Sequence, residues 1–108
     1  EYDWAWYGKL VGGYFASHPH IQTAHILVED RAHPSTYFLP KPWIRVDEWY
    51  DFRMNPRPNV RVLASLKPDS YQGGKMPDHP IVWCQEYDGG RAWYTGLGHT
   101  KGTYDELL

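Results

Sequence analysis

The sequence predicts one small α/β domain, and three patterns predict it. Apolar residues recur at helical spacing near the start, β-branched runs fill two central segments, and a tight turn joins two aromatic-rich runs near the end. A chain of 108 residues has room for one modest core, burying about two thirds of its unfolded surface. With 42% hydrophobic residues, six Trp and nine Tyr, the composition is that of a folded chain, while nine Pro and ten Gly foretell many turns.

Taken in order, Tyr2 to Phe15 sets Trp4, Tyr7, Leu10, Val11, Tyr14 and Phe15 on one helical stripe. Asp3 suits a first turn and Gly12-Gly13 weakens the far end, so a short amphipathic helix is expected. Ile21 to Val28, bounded by His-Pro and Asp-Arg, reads as a strand. His33-Pro34-Ser35-Thr36 opens a helical turn that Pro40 halts. Trp43 to Phe52 alternates poorly and is expected to be extended without forming a regular strand. Asn59 to Leu66 places Val60, Val62, Ala64 and Leu66 on one face of a strand. A long loop, Lys67 to Pro80, follows, and such loops in compact domains often carry function. The closing YDELL begins another helix.

Residues 80–98 predict a β-hairpin. With Asp88-Gly89 at the centre of a type I′ turn, Tyr87 faces Gly90, Glu86 faces Arg91, Cys84 faces Trp93 and Trp83 faces Tyr94. Opposite charges and aromatic rings then pair across the strands, at about 0.2–1 kcal/mol each. Centring the turn on Gly89-Gly90 would oppose Glu86 to Trp93 and Trp83 to Gly96, losing both pairings. The second strand releases the chain through Gly96-Leu97-Gly98 at His99. Ligand crevices of open α/β sheets lie outside the carboxyl ends of strands, so His99 stands where chemistry is expected.

A net charge of −2 gives no electrostatic reason for nucleic acid or an anionic membrane as partner. No apolar run approaches the roughly 20 residues of a membrane span, and no signal peptide opens the chain. One cysteine makes no internal disulfide. Gly12-Gly13 and Gly73-Gly74 lack the Lys-Ser/Thr that follows a phosphate-binding loop, so no nucleotide cofactor is indicated.

The runs EYDWAWYGKLVGGYFASHP, DEWYDF and DHPIVWCQEYDGGRAWYTGLGHT, in this order, resemble the ThuA-like (trehalose utilisation) family. The resemblance covers nearly the whole chain and matches the C-terminal half to two thirds of the family's domain. It implies a flavodoxin-like three-layer α/β fold related to class I glutamine amidotransferases, present here as a C-terminal part with a mixed sheet. The first strands would lie upstream of Glu1, and the last helix would be cut short. It also implies a role in carbohydrate metabolism, on a disaccharide or keto-sugar. Amidotransferase chemistry is not implied: Cys84 lies mid-strand between Trp83 and Gln85, away from any strand-to-helix elbow, and reads as a small buried hydrophobe.

The chemical candidates are carboxylates and histidines. Adjacent residues of an extended segment face opposite ways, so one member of Asp47-Glu48 enters a given crevice; Glu48 is the expected catalytic group, with Val46 and Tyr50 on its face. His99 is its expected partner in acid/base work, since an imidazole keeps a neutral form available near neutrality. His18 and His79 each precede proline, which favours an extended backbone and a projecting side chain. With Asp47, Tyr50 and Trp83 they are the expected substrate contacts. His20, His25 and His33 read as structural or exposed. No pair of ligands has metal spacing, although a scattered site of His18, Glu48 and His99 stays geometrically possible. Among the aromatics, Trp4, Tyr7, Trp49, Tyr50, Tyr71 and Trp83 are candidates to stack on a sugar, against the ordinary role of core packing. The expected partner is a small sugar. Two readings stand: an enzyme of hydrolase or isomerase type, and a carbohydrate-binding module without turnover.

Overall fold

A computed structural model of the chain describes residues 3–106. The first helix, α1, spans Ala5–Val11, shorter than its sequence stripe. Gly12 ends it in the left-handed conformation (φ +92°), its N–H donating to the Gly8 carbonyl at 2.9 Å. Tyr2, expected as the helix start, lies outside the described residues. Tyr14 and Phe15, expected in the last turn, are instead beyond it, and Phe15–Ser17 (β1) pairs antiparallel with a short strand, Asp51–Phe52.

The main sheet uses Gln22–Val28 (β2), Trp43–Asp47 (β3), Arg61–Leu66 (β5), His79–Tyr87 (β6) and Gly90–Thr95 (β7), with Asp51–Phe52 as β4. Its order is β3-β2-β5-β6-β7. Every ladder among the described residues is antiparallel, which corrects the expected mixed sheet. A parallel pair needs a crossover of a dozen or more residues, usually helical, and α1 is seven residues long and precedes all the strands. The result is a mixed α/β domain built on an antiparallel sheet. The turn after His33 forms no regular helix; Thr36 and Tyr37 both donate N–H to the His33 carbonyl, and Leu39 to that of Thr36.

Strand β3 departs from expectation for a clear reason. It alternates perfectly, but in inverted sense: Trp43, Arg45 and Asp47 are buried, while Ile44 and Val46 are half exposed. A polar residue is tolerated inside only with partners. Arg45 lies over the Trp43 ring, 4.8 Å from its centroid, and pairs with Glu106 at 2.7 Å. Asp47 is held by backbone donors described below.

The hairpin has the expected register, Tyr87 opposite Gly90 through Trp83 opposite Tyr94. Asp88 (φ +50°) and Gly89 (φ +79°) both take the positive φ that a type I′ turn demands. Trp83 and Tyr94 stack at 4.4 Å, and Phe52 meets Trp83 edge-on at 5.0 Å. With Trp49, Ile26, Leu63, Leu66 and Ile81 they form the core, which joins the hairpin to β2 and β5. The loop from Lys67 carries a 3₁₀ turn, Pro68–Ser70, and buries Tyr71, whose hydroxyl meets the His79 ring of β6. The last element among the described residues is a 3₁₀ turn, Lys101–Asp105, where the start of a helix was expected; Leu107 and Leu108, the rest of that expected helix, lie outside the described residues. No helix among the described residues is long and apolar enough to cross a membrane.

Candidate functional site

The end of β3 and the segment leaving β7 meet, and one carboxylate joins them. Asp47 is fully buried. Its Oδ1 accepts the N–H groups of Glu48 (2.9 Å) and His99 (3.1 Å), and its Oδ2 accepts the N–H of Gly98 (2.8 Å) and the Thr103 hydroxyl (3.3 Å). Gly98 has φ +104°, a conformation that glycine enters without strain. Asp47 therefore has no oxygen left for a ligand. It was expected among the substrate contacts; the fold places it beneath them, fixing the backbone from which Glu48 and His99 project.

Glu48 sits at the centre of the cluster, its side chain 11% exposed. Its Oε2 lies 3.4 Å from Nε2 of His99 and 3.5 Å from Nδ1 of His18, and the two rings stand at the solvent edge. His18 Nδ1 also lies 2.8 Å from the Pro19 carbonyl. A carbonyl only accepts, so that nitrogen carries the proton, leaving Nε2 of the neutral ring as an acceptor. Tyr50 completes the group. Its phenol lies beside Glu48, and burial, with the charges of Glu48 and Asp47, raises its pKa, so it holds its proton at neutral pH. Phe15 meets the Tyr50 ring edge-on at 5.0 Å and flanks His18 at 6.0 Å.

The two remaining expected contacts lie elsewhere. His79 is 1% exposed. Its Nε2 donates to the Tyr50 carbonyl (2.7 Å), so its Nδ1 accepts from the Tyr71 hydroxyl (2.8 Å). Burial lowers its pKa and keeps the ring neutral. It braces the Tyr50 backbone from below and does not reach the surface. Trp83 is also 1% exposed, its Nε1 donating to the Val11 carbonyl at 2.7 Å; it is core. Trp49 and Tyr71 are buried in the same way, whereas Trp4 and Tyr7 are exposed and stacked at 5.7 Å.

Sequence reasoning missed the wall beside Tyr50. Tyr7, Tyr14, Phe15, Tyr50 and Tyr94 surround a cavity of about 400 Å³. Three of these rings come from the stretch read as helix, and only the break at Gly12-Gly13 turns Tyr14 and Phe15 toward Tyr50. The sequence signal was the Gly-Gly pair itself.

His18, Glu48 and His99, the residues of the scattered metal site, do converge. The His18 nitrogen turned toward Glu48 is Nδ1, which carries the hydrogen, so the face it shows the carboxylate is a donor. Among the described residues, no group of three or more His, Cys, Asp or Glu is arranged to hold a metal ion. Cys84 lies in regular β6, half buried, with Sγ 4.0 Å from His33 Nε2.

Comparison with known proteins adds family and fold. A family model described as ThuA, trehalose utilisation, matches residues 1–107. A crystal structure of a protein described as ThuA-like from Bacteroides uniformis is similar at a TM-score of 0.78 and 31% identity, over 96% of this chain. The chain spans 46% of that protein's length. No curated protein matches it.

Proposed function

The chain belongs to the ThuA, or trehalose-utilisation, family, and we propose that it serves carbohydrate metabolism by acid/base chemistry on a disaccharide or keto-sugar, with Glu48 and His99 exchanging protons with the substrate. One observation carries the reading: a sheltered carboxylate lies between two solvent-edge imidazoles, 3.4 and 3.5 Å away. A sugar hydroxyl between Glu48 and His99 would touch both. Contacts of this length in a ligand-free site are ordinary for groups that tighten on substrate. Tyr50, protonated, would donate to the carboxylate or to a substrate oxygen, and His18 would orient the sugar.

The geometry favours proton transfer over hydrolysis of the usual two-carboxylate type. That mechanism sets two carboxyl groups across the glycosidic bond, about 5–5.5 Å or 6.5–9.5 Å apart. Asp47, the neighbouring carboxylate, is fully buried and saturated by donors, so the Asp47-Glu48 pair does not meet the requirement. One carboxylate with two imidazoles and a phenol suits removal and return of a proton at a sugar hydroxyl, or at carbon next to a keto group. Family membership and the half-length match to the Bacteroides protein also support placing this stretch in a larger flavodoxin-like domain.

The test uses the complete protein and a panel of disaccharides and keto-sugars. Glu48→Gln and His99→Ala should keep sugar affinity and lower turnover by about 10²–10⁴. Turnover unaffected by both changes would end the acid/base reading. The second reading, binding without turnover, draws support from the exposed Trp4, Trp6 and Tyr7 stack on α1, and gains if the wild type binds sugars and converts none.

A further inference from the structure

We propose that Arg45 and Glu106 are positioning residues for the site: their ion pair fastens the segment 98–106 to β3 and so fixes the place of the His99 imidazole beside Glu48. The inference rests on the reading of Glu48 and His99 as the acid/base pair and deepens it by naming what holds the two together.

The segment has no apolar anchor. Across residues 98–106 none is buried, and the 3₁₀ turn within the segment presents no buried face to the sheet. A stretch with so little buried surface stays docked through its polar ties. Those ties go to Asp47 and Arg45, the inward polar residues of β3. Asp47 accepts the Gly98 and His99 N–H groups at the near end and the Thr103 hydroxyl farther on. Arg45 takes the far end, its Nη2 donating to Glu106 Oε1 at 2.7 Å. Between these points the segment braces itself: the Tyr104 hydroxyl donates to the Gly98 carbonyl at 2.9 Å, and the Thr103 N–H to the Thr100 carbonyl at 3.1 Å. The hold on Glu106 is therefore passed through Tyr104 to Gly98, the residue before His99.

The pair is unequal, which gives it a direction. The Arg45 side chain is 5% exposed and lies over the Trp43 ring, set in place by the sheet, whereas Glu106 is 34% exposed and belongs to the segment. A buried guanidinium deprived of its carboxylate is costly, so Arg45 draws the segment in. This accounts for the inverted alternation of β3, whose inward charges are the attachment points for the segment that carries His99. The His99 ring stands at the solvent edge, so its backbone decides how near it comes to Glu48.

The test combines NMR and kinetics on the complete protein, for wild type, Glu106→Ala, the double variant Arg45→Met/Glu106→Ala and the control Asp105→Ala, an exposed neighbour of like charge. The His99 and Glu48 amide protons both lie against Asp47 Oδ1, which holds their resonances downfield, so each reports its distance from the same oxygen. In Glu106→Ala and in the double variant the His99 amide should move upfield while that of Glu48 stays. On the panel of disaccharides and keto-sugars, kcat should fall about tenfold to a hundredfold with KM within about twofold. Asp105→Ala should change neither. The double variant separates positioning from stability, because replacing both partners of a buried pair by apolar groups is neutral or stabilising yet does not restore the tie. Wild-type turnover in it would overturn the proposal. An unmoved His99 amide in Glu106→Ala would also overturn it, while leaving the Glu48 chemistry standing. A displaced amide with unchanged turnover would uphold the tie and end the role of His99 in the reaction. If the wild type converts no sugar, the amide shifts still decide the tie.

Discussion

The carboxylate of Asp47 accepts the backbone N–H of His99 at 3.1 Å while the same oxygen accepts that of Glu48 at 2.9 Å. One buried group thus sets both members of the proposed acid/base pair, from two strands far apart in sequence. Asp47→Asn keeps shape but turns one oxygen into an NH₂ group facing N–H donors. It should cost about 1–3 kcal/mol of stability by urea unfolding and lower turnover as much as His99→Ala. His99→Ala should leave stability nearly unchanged, because its ring is at the solvent edge. A fully active Asp47→Asn protein would refute the positioning role.

Tyr50→Phe separates the phenol from the ring. The Phe15 contact survives, and only the hydroxyl beside Glu48 is lost. Turnover should fall about tenfold or more, with a stability change of about 1 kcal/mol and sugar affinity nearly constant. Separate kcat and KM values read this directly; a rise in KM alone would assign Tyr50 to binding only.

Acid should loosen the scaffold through His79. Burial is the main cause lowering its pKa, opposed by the Tyr50 carbonyl and by Asp51 and Asp78. The folded-state pKa therefore lies below the unfolded value near 6.5. As pH falls, the unfolded chain binds the proton first, so this contribution is full above about pH 6.5 and is progressively lost below it. Urea midpoints between pH 8 and 5 should decline in the wild type and flatten in His79→Gln, which would itself lose about 1–3 kcal/mol. Parallel pH profiles for the two proteins would rule out His79 as the source.

A second acid-sensitive joint ties the end of β2 to the start of β6. Arg57 donates to both Glu29 oxygens at 2.8 Å, and to Asp78 at 2.7 and 2.8 Å. Its hydrogen bonds hold both carboxyls below their usual pKa. Stability from these groups is present above the unfolded carboxylate range and lost as pH falls through their folded values. The joint is partly exposed, so Arg57→Ala should cost only about 1 kcal/mol, shrinking at high salt. A salt-independent loss, followed by urea unfolding at several ionic strengths, would show that packing and not charge holds the joint.

Local chemistry written in neighbouring residues was legible. Asp88-Gly89 set the hairpin register, because only that centring pairs Glu86 with Arg91 and Trp83 with Tyr94, and both turn residues take positive φ. The Ile21–Val28 strand, read from β-branched and apolar content, formed as Gln22–Val28. The Asn59–Leu66 strand starts at Arg61, after a 3₁₀ turn, and buries Leu63 and Ser65 along with Ala64 and Leu66, so both of its faces are covered and not the one that alternation predicted. β3 was not legible, because its inward residues are Arg45 and Asp47, and a pattern search reads buried charge as exposure.

The sequence by itself determined the first helix, two strands of the main sheet, the hairpin and its turn, the family and the choice of Glu48, His99, His18 and Tyr50 as chemical candidates. Only the tertiary structure decided which residues lie within reach of one another. It drew His18, Glu48, Tyr50 and His99 into one cluster, buried Asp47, His79 and Trp83 beneath it, and set Tyr14 and Phe15 beside Tyr50. The physical reason is that burial and partnership depend on long-range pairing. Asp47 and Gly98 are 51 positions apart, and no local propensity shows that a carboxylate will be desolvated or which backbone donors will repay it.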